Sequence, residues 1–126
     1  MPADFFGAVA ADGVTLPFSS AVRAGDFVFA SGRMPMNDNL EVVQGGIEIQ
    51  TRQTLKNIDA ALALAGCSLA DVVKATVWLD DPRDFWSFNR VYAEFFPGNK
   101  PARSATVARM VADAKIEIEV IAYKPR

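Results

Sequence analysis

Two segments in which apolar residues occupy every second position most constrain the fold of this chain. In residues 115–123, the apolar residues that share one face of an extended chain are Ile116, Ile118, Val120 and Ala122. Residues 71–79 are rich in β-branched residues and alternate in the same way through Val73, Ala75, Val77 and Leu79. Successive side chains on a strand point to opposite faces, so both segments are predicted to be half-buried β-strands.

Two segments with helical periodicity interrupt the series of strands. Residues 47–65 contain neither Gly nor Pro, and their apolar residues recur every three or four positions: Leu55, Ile58, Leu62 and Ala65. This segment is predicted to be an amphipathic helix that ends at Gly66. A second helix, ending at Pro97-Gly98, is predicted from the spacing of Phe85, Phe88, Tyr92 and Phe95.

The rest of the chain is predicted to supply further strands and loops. Residues 1–20 are predicted to be a short strand and a loop, and residues 21–32 a β-hairpin with its turn at Gly25-Asp26. Residues 33–46 are predicted to be a loop with a candidate short strand at 40–43, and residues 103–110 a strand. The order of elements predicts one α+β domain over residues 1–126, with two helices on one face of a mixed sheet.

The residue types present and absent narrow the possible function. The 126 residues are 51% hydrophobic and 22% charged, which is typical of one globular domain. The chain has no histidine, which excludes Ser-His-Asp and Cys-His catalysis and the usual zinc sites, and we predict no metal and no cofactor. A net charge of −2 argues against a nucleic-acid partner. No signal sequence or membrane-length apolar segment is visible, so a cytoplasmic location without a membrane partner is predicted.

Three side chains are candidates for a binding or catalytic site. Arg103 follows Pro101 at the start of a predicted strand, and its planar guanidinium is suited to bind a carboxylate; a surface or interface salt bridge is the alternative. Glu117 would act as a general base if it is partly buried, but Glu119 shares its face, and an exposed edge strand is the alternative. The hydroxyl of Ser31 could bind a substrate oxygen or a water, or belong to an ordinary strand-end serine.

Other polar and reactive residues are more ambiguous. Asn89 lies off the apolar stripe of the second helix and could line a neighbouring subunit's cleft, whereas Phe85, Phe88 and Tyr92 are predicted to be mostly helix core. The single cysteine, Cys67, has no cation near it in sequence and is predicted to pack rather than to react.

Three stretches of the chain occur together as a combined motif. They are Leu16-Pro17-Phe18-Ser19 with Ala21-Val22 and Ser31-Gly32; Phe88-Asn89-Arg90-Val91-Tyr92 with Phe95-Phe96; and Pro101-Ala102-Arg103-Ser104 followed by Ile116-Glu117-Ile118-Glu119. In order and spacing, over nearly the whole chain, they resemble the RidA/YjgF family of enamine/imine deaminases. The resemblance implies a chorismate-mutase-like α+β homotrimer with a barrel-like core and active sites between subunits.

The resemblance also implies roles for individual residues. Arg103 would hold a substrate carboxylate, Glu117 would place a water, and Ser31 would lie in the site. The further substrate-binding residues that it implies are Phe18, Phe88, Asn89 and Ala105. The chain differs from many members at Phe18, Arg33 and Ala105, where tyrosine, glutamine, and cysteine or threonine are frequent.

The reaction implied by the resemblance is hydrolysis of an enamine or imine to a 2-oxo acid and ammonia. A non-catalytic trimer that binds a small carboxylate as a regulator is the first alternative. A ribonuclease or translation inhibitor is a further alternative, because these activities are attached to some family members. The net charge and the absent histidine disfavour that role.

Overall fold

The computed structural model describes residues 2–10 and 12–126, so Met1 and Ala11 lie outside the described residues. The described residues form six strands, numbered in chain order: β1 (Asp4–Phe6), β2 (Ala21–Ala24), β3 (Phe27–Arg33), β4 (Val72–Leu79), β5 (Ala102–Val107) and β6 (Ile116–Tyr123). They also form two α-helices: α1 (Ile47–Leu64) and α2 (Phe85–Phe95). Within these residues, neither helix combines the length and the apolar character needed to cross a membrane.

All six strands form one mixed sheet in the order β1-β2-β3-β6-β4-β5. Neighbouring strands are antiparallel, except that β5 runs parallel to β4. Parallel neighbours need a long crossover, which α2 supplies here. The strand predicted at residues 103–110 is β5, which ends earlier, at Val107. The predicted mixed sheet with two helices on one face is confirmed.

The hydrophobic core lies between the sheet and the two helices. The strands contribute fully buried side chains that include Val28, Ala75, Val77, Ile116 and Ile118. The helices contribute Leu55, Ile58, Leu62 and Phe88. Burying one large aliphatic or aromatic side chain stabilises the fold by about 1.5–3 kcal/mol. The alternation predicted for residues 115–123 is confirmed, because every second residue of β6 is buried in this layer.

Helix α1 is followed by Gly66 in the left-handed region, as predicted. Gly66 has a φ of 77°, which glycine adopts without steric strain. Its N–H donates to the carbonyl of Ala63 at 3.1 Å, and the N–H of Cys67 donates to the carbonyl of Leu62 at 3.0 Å. This pair of bonds is a Schellman motif, which satisfies two carbonyls that lack partners within the helix.

The predicted faces are wrong at the start of β4. Val73 is predicted to share the buried face, but it is 44% exposed and Val72 is buried instead. Val72 pairs with Ala122 and Lys74 pairs with Ile121, so two steps along β4 match one step along β6. The resulting β-bulge inserts one extra residue and reverses the alternation before it.

The candidate strand at residues 40–43 is also wrong. A single bridge joins Met36 and Val42 there. Leu40 has a φ of 62°, and the Oδ1 of Asn37 accepts the N–H of Asn39 at 2.9 Å. A side chain that accepts a backbone N–H two residues on stabilises a turn rather than an extended strand.

The face of the sheet opposite the helices is open and partly apolar. Three aromatic residues on it are each nearly half exposed: Phe27, Phe29 and Tyr123. The rings of Phe27 and Tyr123 lie 5.2 Å apart, centroid to centroid. A contiguous apolar area on a sheet face is typical of a contact surface.

Candidate functional site

Arg103 lies on the helix-covered face of β5. It pairs with Ala75 of β4, which is fully buried on that face. The guanidinium carbon lies 5.7 Å from the ring centroid of Phe85, 5.2 Å from that of Phe88 and 4.8 Å from that of Tyr92. The electron-rich faces of aromatic rings attract a cation at these distances. The rings therefore hold Arg103 in position without neutralising its charge.

The aromatic support follows from the residue spacing of α2. Residues three or four apart on a helix share a face, so the rings of Phe85, Phe88, Tyr92 and Phe96 form a row. Successive centroids in this row are 6.4, 5.4 and 4.7 Å apart. Phe88 is fully buried beneath the guanidinium. It can therefore influence a ligand only through Arg103.

Arg103 has no acidic partner among residues 2–10 and 12–126. None of the five salt bridges between described side chains involves it. Within the described residues, a salt bridge of Arg103 is therefore excluded. The guanidinium remains available to a carboxylate from a ligand or from another subunit.

A cavity of about 370 Å³ opens beside Arg103. Its wall comes from α2 and the segment that leads into β5: Asn89, Tyr92, Ala93, Phe96, Lys100, Pro101 and Arg103. Asn89 Oδ1 and the Tyr92 hydroxyl are buried and have no hydrogen-bond partner among the described residues. Burial raises the pKa of Tyr92, although the charge of Arg103 opposes the effect, so the hydroxyl keeps its proton at neutral pH. The residues of the cavity wall therefore include a cation and two polar side chains whose buried oxygens lack described partners.

Lys100 supplies a second cation to the same wall. Its Nζ donates to the carbonyl of Phe96 at 2.9 Å and to that of Gly98 at 3.1 Å. Phe96 lies at the C-terminal end of α2, where unpaired carbonyls favour a positive charge. These two bonds fix the ammonium group beside the cavity.

Ala105 lies in a neighbouring cavity rather than beside the guanidinium. This second cavity, of about 280 Å³, is lined on the helix side by Phe85 and Trp86 and on the β5 side by Ala105, Thr106 and Val107, with Leu79 and Pro82. Ala105 follows Arg103 by two residues on β5 and therefore shares its face. Phe85 contacts both regions, since it also supports Arg103.

Glu117 lies on the open face of the sheet, partly buried against β3. Its carboxylate occupies the space that a Cβ would take at Gly32, so a glycine at that position admits it. Burial raises the pKa of Glu117, and the charge of Glu119 raises it further. Glu119 itself is exposed. Of the two glutamates on this face, Glu117 therefore has the environment that suits a general base.

Ser31 belongs to a β-bulge next to Glu117. Ser31 and Gly32 of β3 together oppose the single residue Glu119 of β6. The Ser31 hydroxyl donates to the carbonyl of Ser19 at 2.6 Å, which leaves its lone pairs free to accept a hydrogen bond. Phe18 precedes Ser19 in the same loop and is 46% exposed. The bulge and this loop therefore lie side by side.

The predicted site residues fall into two groups on opposite faces of the sheet. Arg103 is in register with Ala75 of β4, and Glu117 is in register with Trp78. Ala75 and Trp78 are three residues apart on one strand, so they face opposite sides and lie about 10 Å apart along it. A single chain therefore does not bring Arg103 and Glu117 together.

The thiol of Cys67 is buried. Cys67 is 6% exposed, and burial raises the pKa of its thiol, which makes the reactive thiolate scarce. The position of Cys67 within the hydrophobic core confirms the predicted packing role. The described part of the chain contains no cluster of three Cys, Asp or Glu side chains arranged to hold a metal ion.

Sequence reasoning does not identify Tyr92, Lys100 and Gly32 as parts of a site. The ring of Tyr92 continues an apolar stripe, and the missing partner of its hydroxyl is visible only once the helix is packed. Lys100 stands in a turn where a charged residue is ordinary, and its closeness to Arg103 in sequence is the one available signal. A Ser-Gly pair at a strand end, as at Gly32, is a weak signal of a bulge.

Comparison with known proteins gives one consistent result. The family model for Endoribonuclease L-PSP matches residues 10–124. A RutC family protein of Pyrococcus horikoshii is 52% identical over 110 residues, or 86% of this chain and 87% of that protein. The human 2-iminobutanoate/2-iminopropanoate deaminase is 39% identical over 116 residues, or 90% of this chain and 85% of that protein.

A solved structure agrees with these sequence relatives. E. coli TdcF with bound serine has a TM-score of 0.84 and 34% identity to this chain, and the match covers 96% of this chain and 98% of TdcF. The family match thus spans nearly every element of the sheet and both helices. Sequence, fold and the quoted motifs therefore agree that this chain belongs to the RidA/YjgF family, also described as the endoribonuclease L-PSP family.

Proposed function

We propose that this protein hydrolyses enamine or imine intermediates that carry a carboxylate, giving a 2-oxo acid and ammonia. The observation that carries the proposal is the environment of Arg103. Its guanidinium is held over three rings beside a cavity, without an acidic partner among the described residues. A cation in such a place is complementary to a carboxylate ligand. Asn89, on the same wall, has a side-chain oxygen without a hydrogen-bond partner among the described residues.

The reaction needs little chemistry from the protein. The imine carbon is electrophilic, and water adds to it as the C=N bond becomes a single bond. Glu117 accepts a proton from this water and passes it to the nitrogen, which gives a carbinolamine. It then moves the hydroxyl proton to the nitrogen, so that the C–N bond breaks, ammonia leaves and a C=O bond forms. The raised pKa of Glu117 makes it a better base than an ordinary glutamate. Fixing the carboxylate and the water supplies much of the remaining rate enhancement.

The separation of Arg103 and Glu117 supports a site shared between subunits. The two residues lie on opposite faces of one sheet, so the site requires Arg103 from one copy and Glu117 from a neighbouring copy. A homotrimer with clefts between subunits meets this requirement. The partly apolar open face provides the surface through which copies can associate.

The names and contents of related proteins agree with this function. The human relative is named a 2-iminobutanoate/2-iminopropanoate deaminase. The E. coli TdcF structure contains serine, which carries both a carboxylate and an amino group. Both compounds carry a carboxylate, which the guanidinium beside the cavity is suited to bind.

Arg103 variants test the proposal directly. Imines are generated from amino acids by an amino-acid oxidase, and release of the 2-oxo acid is measured. Arg103→Lys should fail nearly as badly as Arg103→Ala, because lysine lacks the planar fork. The loss of a charge-assisted bidentate contact corresponds to at least ~30-fold in kcat/KM.

Amide substrates provide the matched control for this experiment. The amide of the same imine should be a poor substrate for the wild type, and the Arg103 substitutions should hurt it little. A purely structural Arg103 would instead lower activity on acid and amide alike, together with the melting temperature. A stable Arg103→Ala variant with unchanged acid turnover would contradict the proposal.

A carboxylate-binding regulator is the second candidate, and one observation favours it. The carboxylate cavity is complete within one chain, whereas the glutamate lies on the other face of the sheet. Binding without turnover therefore needs only the Arg103 cavity and not Glu117. Tight binding of 2-oxo acids with no imine hydrolysis, in a protein whose assembly is verified, would support this candidate.

A further inference from the structure

The cavity that Arg103 lines has a second cation on its wall, although a single carboxylate needs only one. Arg103 and Lys100 both belong to its wall, and no acidic side chain does. Neither cation takes part in a salt bridge within the described residues. The wall therefore carries two positive charges with no negative charge to offset them.

Two hydrogen bonds orient the ammonium group of Lys100. Two of the three N–H donors of an ammonium group are used by the carbonyls of Phe96 and Gly98, at 2.9 and 3.1 Å. One donor remains for a ligand. Carbonyl dipoles orient the ammonium group but leave its full charge in place, so an anion gains both a hydrogen bond and a Coulombic attraction.

The rest of the wall suits the carbon chain of a ligand. Ala93, Phe96 and Pro101 present apolar surface to the cavity. A ligand that places one anion on Arg103 and another on Lys100 needs a carbon chain between its two charged ends. A volume of about 370 Å³ accommodates a molecule of this size.

We propose that Lys100 binds a second carboxylate, so that this cavity prefers short dicarboxylates such as 2-oxo and 2-imino dicarboxylic acids over their monocarboxylate counterparts. The extension to imino acids rests on the proposed function, whereas the binding preference does not. The simpler role for Lys100 is to cap α2, since a cation near the last carbonyls stabilises a helix. Capping alone predicts a loss of stability without any change in ligand preference.

Binding of two 2-oxo acids by the full-length protein tests the inference. Isothermal titration calorimetry compares 2-oxoglutarate with 2-oxobutanoate for the wild type, Lys100→Met and Lys100→Arg. Lys56→Met is the matched control, because Lys56 is an exposed lysine of α1 that does not line the cavity. Melting temperatures measured for all four proteins separate capping from ligand binding.

The expected result is a charge-dependent preference. The wild type should bind 2-oxoglutarate about tenfold or more tightly than 2-oxobutanoate, as expected for a hydrogen bond to a charged group. Lys100→Met should remove this ratio, whereas Lys100→Arg and Lys56→Met should keep it. Equal affinities in the wild type, or an equal loss for both acids in Lys100→Met, would overturn the inference.

Turnover assays on the same proteins separate this inference from the proposed function. Imines generated from glutamate and from 2-aminobutyrate are offered to the wild type. A binding preference without any imine hydrolysis would reject the deaminase function and leave the dicarboxylate site standing. Hydrolysis of both imines without a binding preference would support the deaminase function and reject the dicarboxylate site.

Discussion

At the scale of single residues, two neighbours determine the environment of the Glu117 carboxylate: Gly32, which lacks a Cβ, and Glu119, which carries a like charge. Gly32 has no Cβ, so the carboxylate can lie against the backbone of β3. Partial burial and the charge of Glu119 both raise the pKa of Glu117. The same two effects make its ionised form unfavourable for the folded state. Catalytic suitability and stability are therefore opposed at this position.

Replacing Glu117 by glutamine should reduce turnover while sparing stability. The variant keeps the shape of the side chain but loses the base, so kcat should fall roughly 10²-fold or more. The folded state binds a proton at Glu117 more tightly than the unfolded state. Stability therefore falls as the pH rises from the ordinary glutamate range through the raised pKa, and the cost is complete above it.

Glu117→Gln removes this cost, so its melting temperature at pH 7 should equal or exceed that of the wild type. Steady-state kinetics and thermal unfolding at pH 7 measure the two effects. Glu119→Gln provides the control for turnover. An unchanged kcat in Glu117→Gln, or an equal loss in both variants, would count against the assignment.

The pH profile of Glu119→Gln tests the electrostatic coupling between the two glutamates. Removing a like charge lowers the pKa of the remaining carboxyl group, so Glu117 stays ionised to a lower pH. The acid limb of kcat/KM should therefore move to lower pH, with little change in the plateau. A profile of kcat/KM against pH between 4 and 8 measures the shift. An acid limb that does not move would show that Glu119 does not alter the pKa of the proposed base, Glu117.

At the scale of secondary structure elements, a buried arginine joins three parts of the fold. Arg23 of β2 is 7% exposed and has no acidic partner within the described part of the chain. Its guanidinium donates to the carbonyls of Lys124 at 2.9 Å, Ala65 at 3.2 Å and Gly25 at 3.3 Å. These carbonyls lie after β6, after α1 and in the β2–β3 turn. The positive charge is favourable at the end of α1, where unpaired carbonyls accumulate.

Arg23→Ala should destabilise the protein by roughly 3 kcal/mol or more, because it leaves one buried and two partly buried carbonyls without this donor and opens a cavity. Arg90→Ala is the matched control. Arg90 makes an exposed salt bridge with Glu48 at 2.9 Å, which is worth less than about 1 kcal/mol. Urea unfolding midpoints at a constant m-value measure both effects. Similar small losses in the two variants would show that the buried arginine is not a structural tie.

At the scale of the whole molecule, the proposed deaminase site needs more than one copy of the chain. Arg103 and Glu117 lie on opposite faces of one sheet, so neither face alone carries the proposed chemistry. We expect a trimer in solution, with three times the chain mass of 13.7 kDa by light scattering. A monomer at micromolar concentration would remove the shared-site model.

Mixing two inactive variants tests the shared site. Arg103→Ala and Glu117→Gln subunits are co-expressed with different tags, and trimers that contain both are purified. In a closed ring of three, every such hybrid has one cleft with an intact arginine and an intact glutamate. Activity should therefore return to about one third of the wild-type value, although each variant alone is inactive. No recovery in verified hybrids would show that the two residues do not act across an interface.

The sequence by itself determined the order of the elements, the end of α1 and the buried face of β6. These features depend on local periodicity and on the turn preferences of a few residues, such as Gly66 and the Gly25-Asp26 pair. The paired motifs around Arg103 and Glu117 also identified the family. Local patterns could not reveal the bulges in β3 and β4, because one inserted residue reverses the face of every residue before it.

Only the tertiary structure decided which chemical groups meet. The aromatic row under Arg103 combines α2 with β5, and the second cation at Lys100 is recognised only when the loop and the helix end lie on the same cavity wall. The separation of Arg103 from Glu117 follows from strand order and register, which join residues distant in sequence. Residue types therefore predicted the chemistry, whereas packing between distant segments decided how that chemistry is divided between the faces of one sheet.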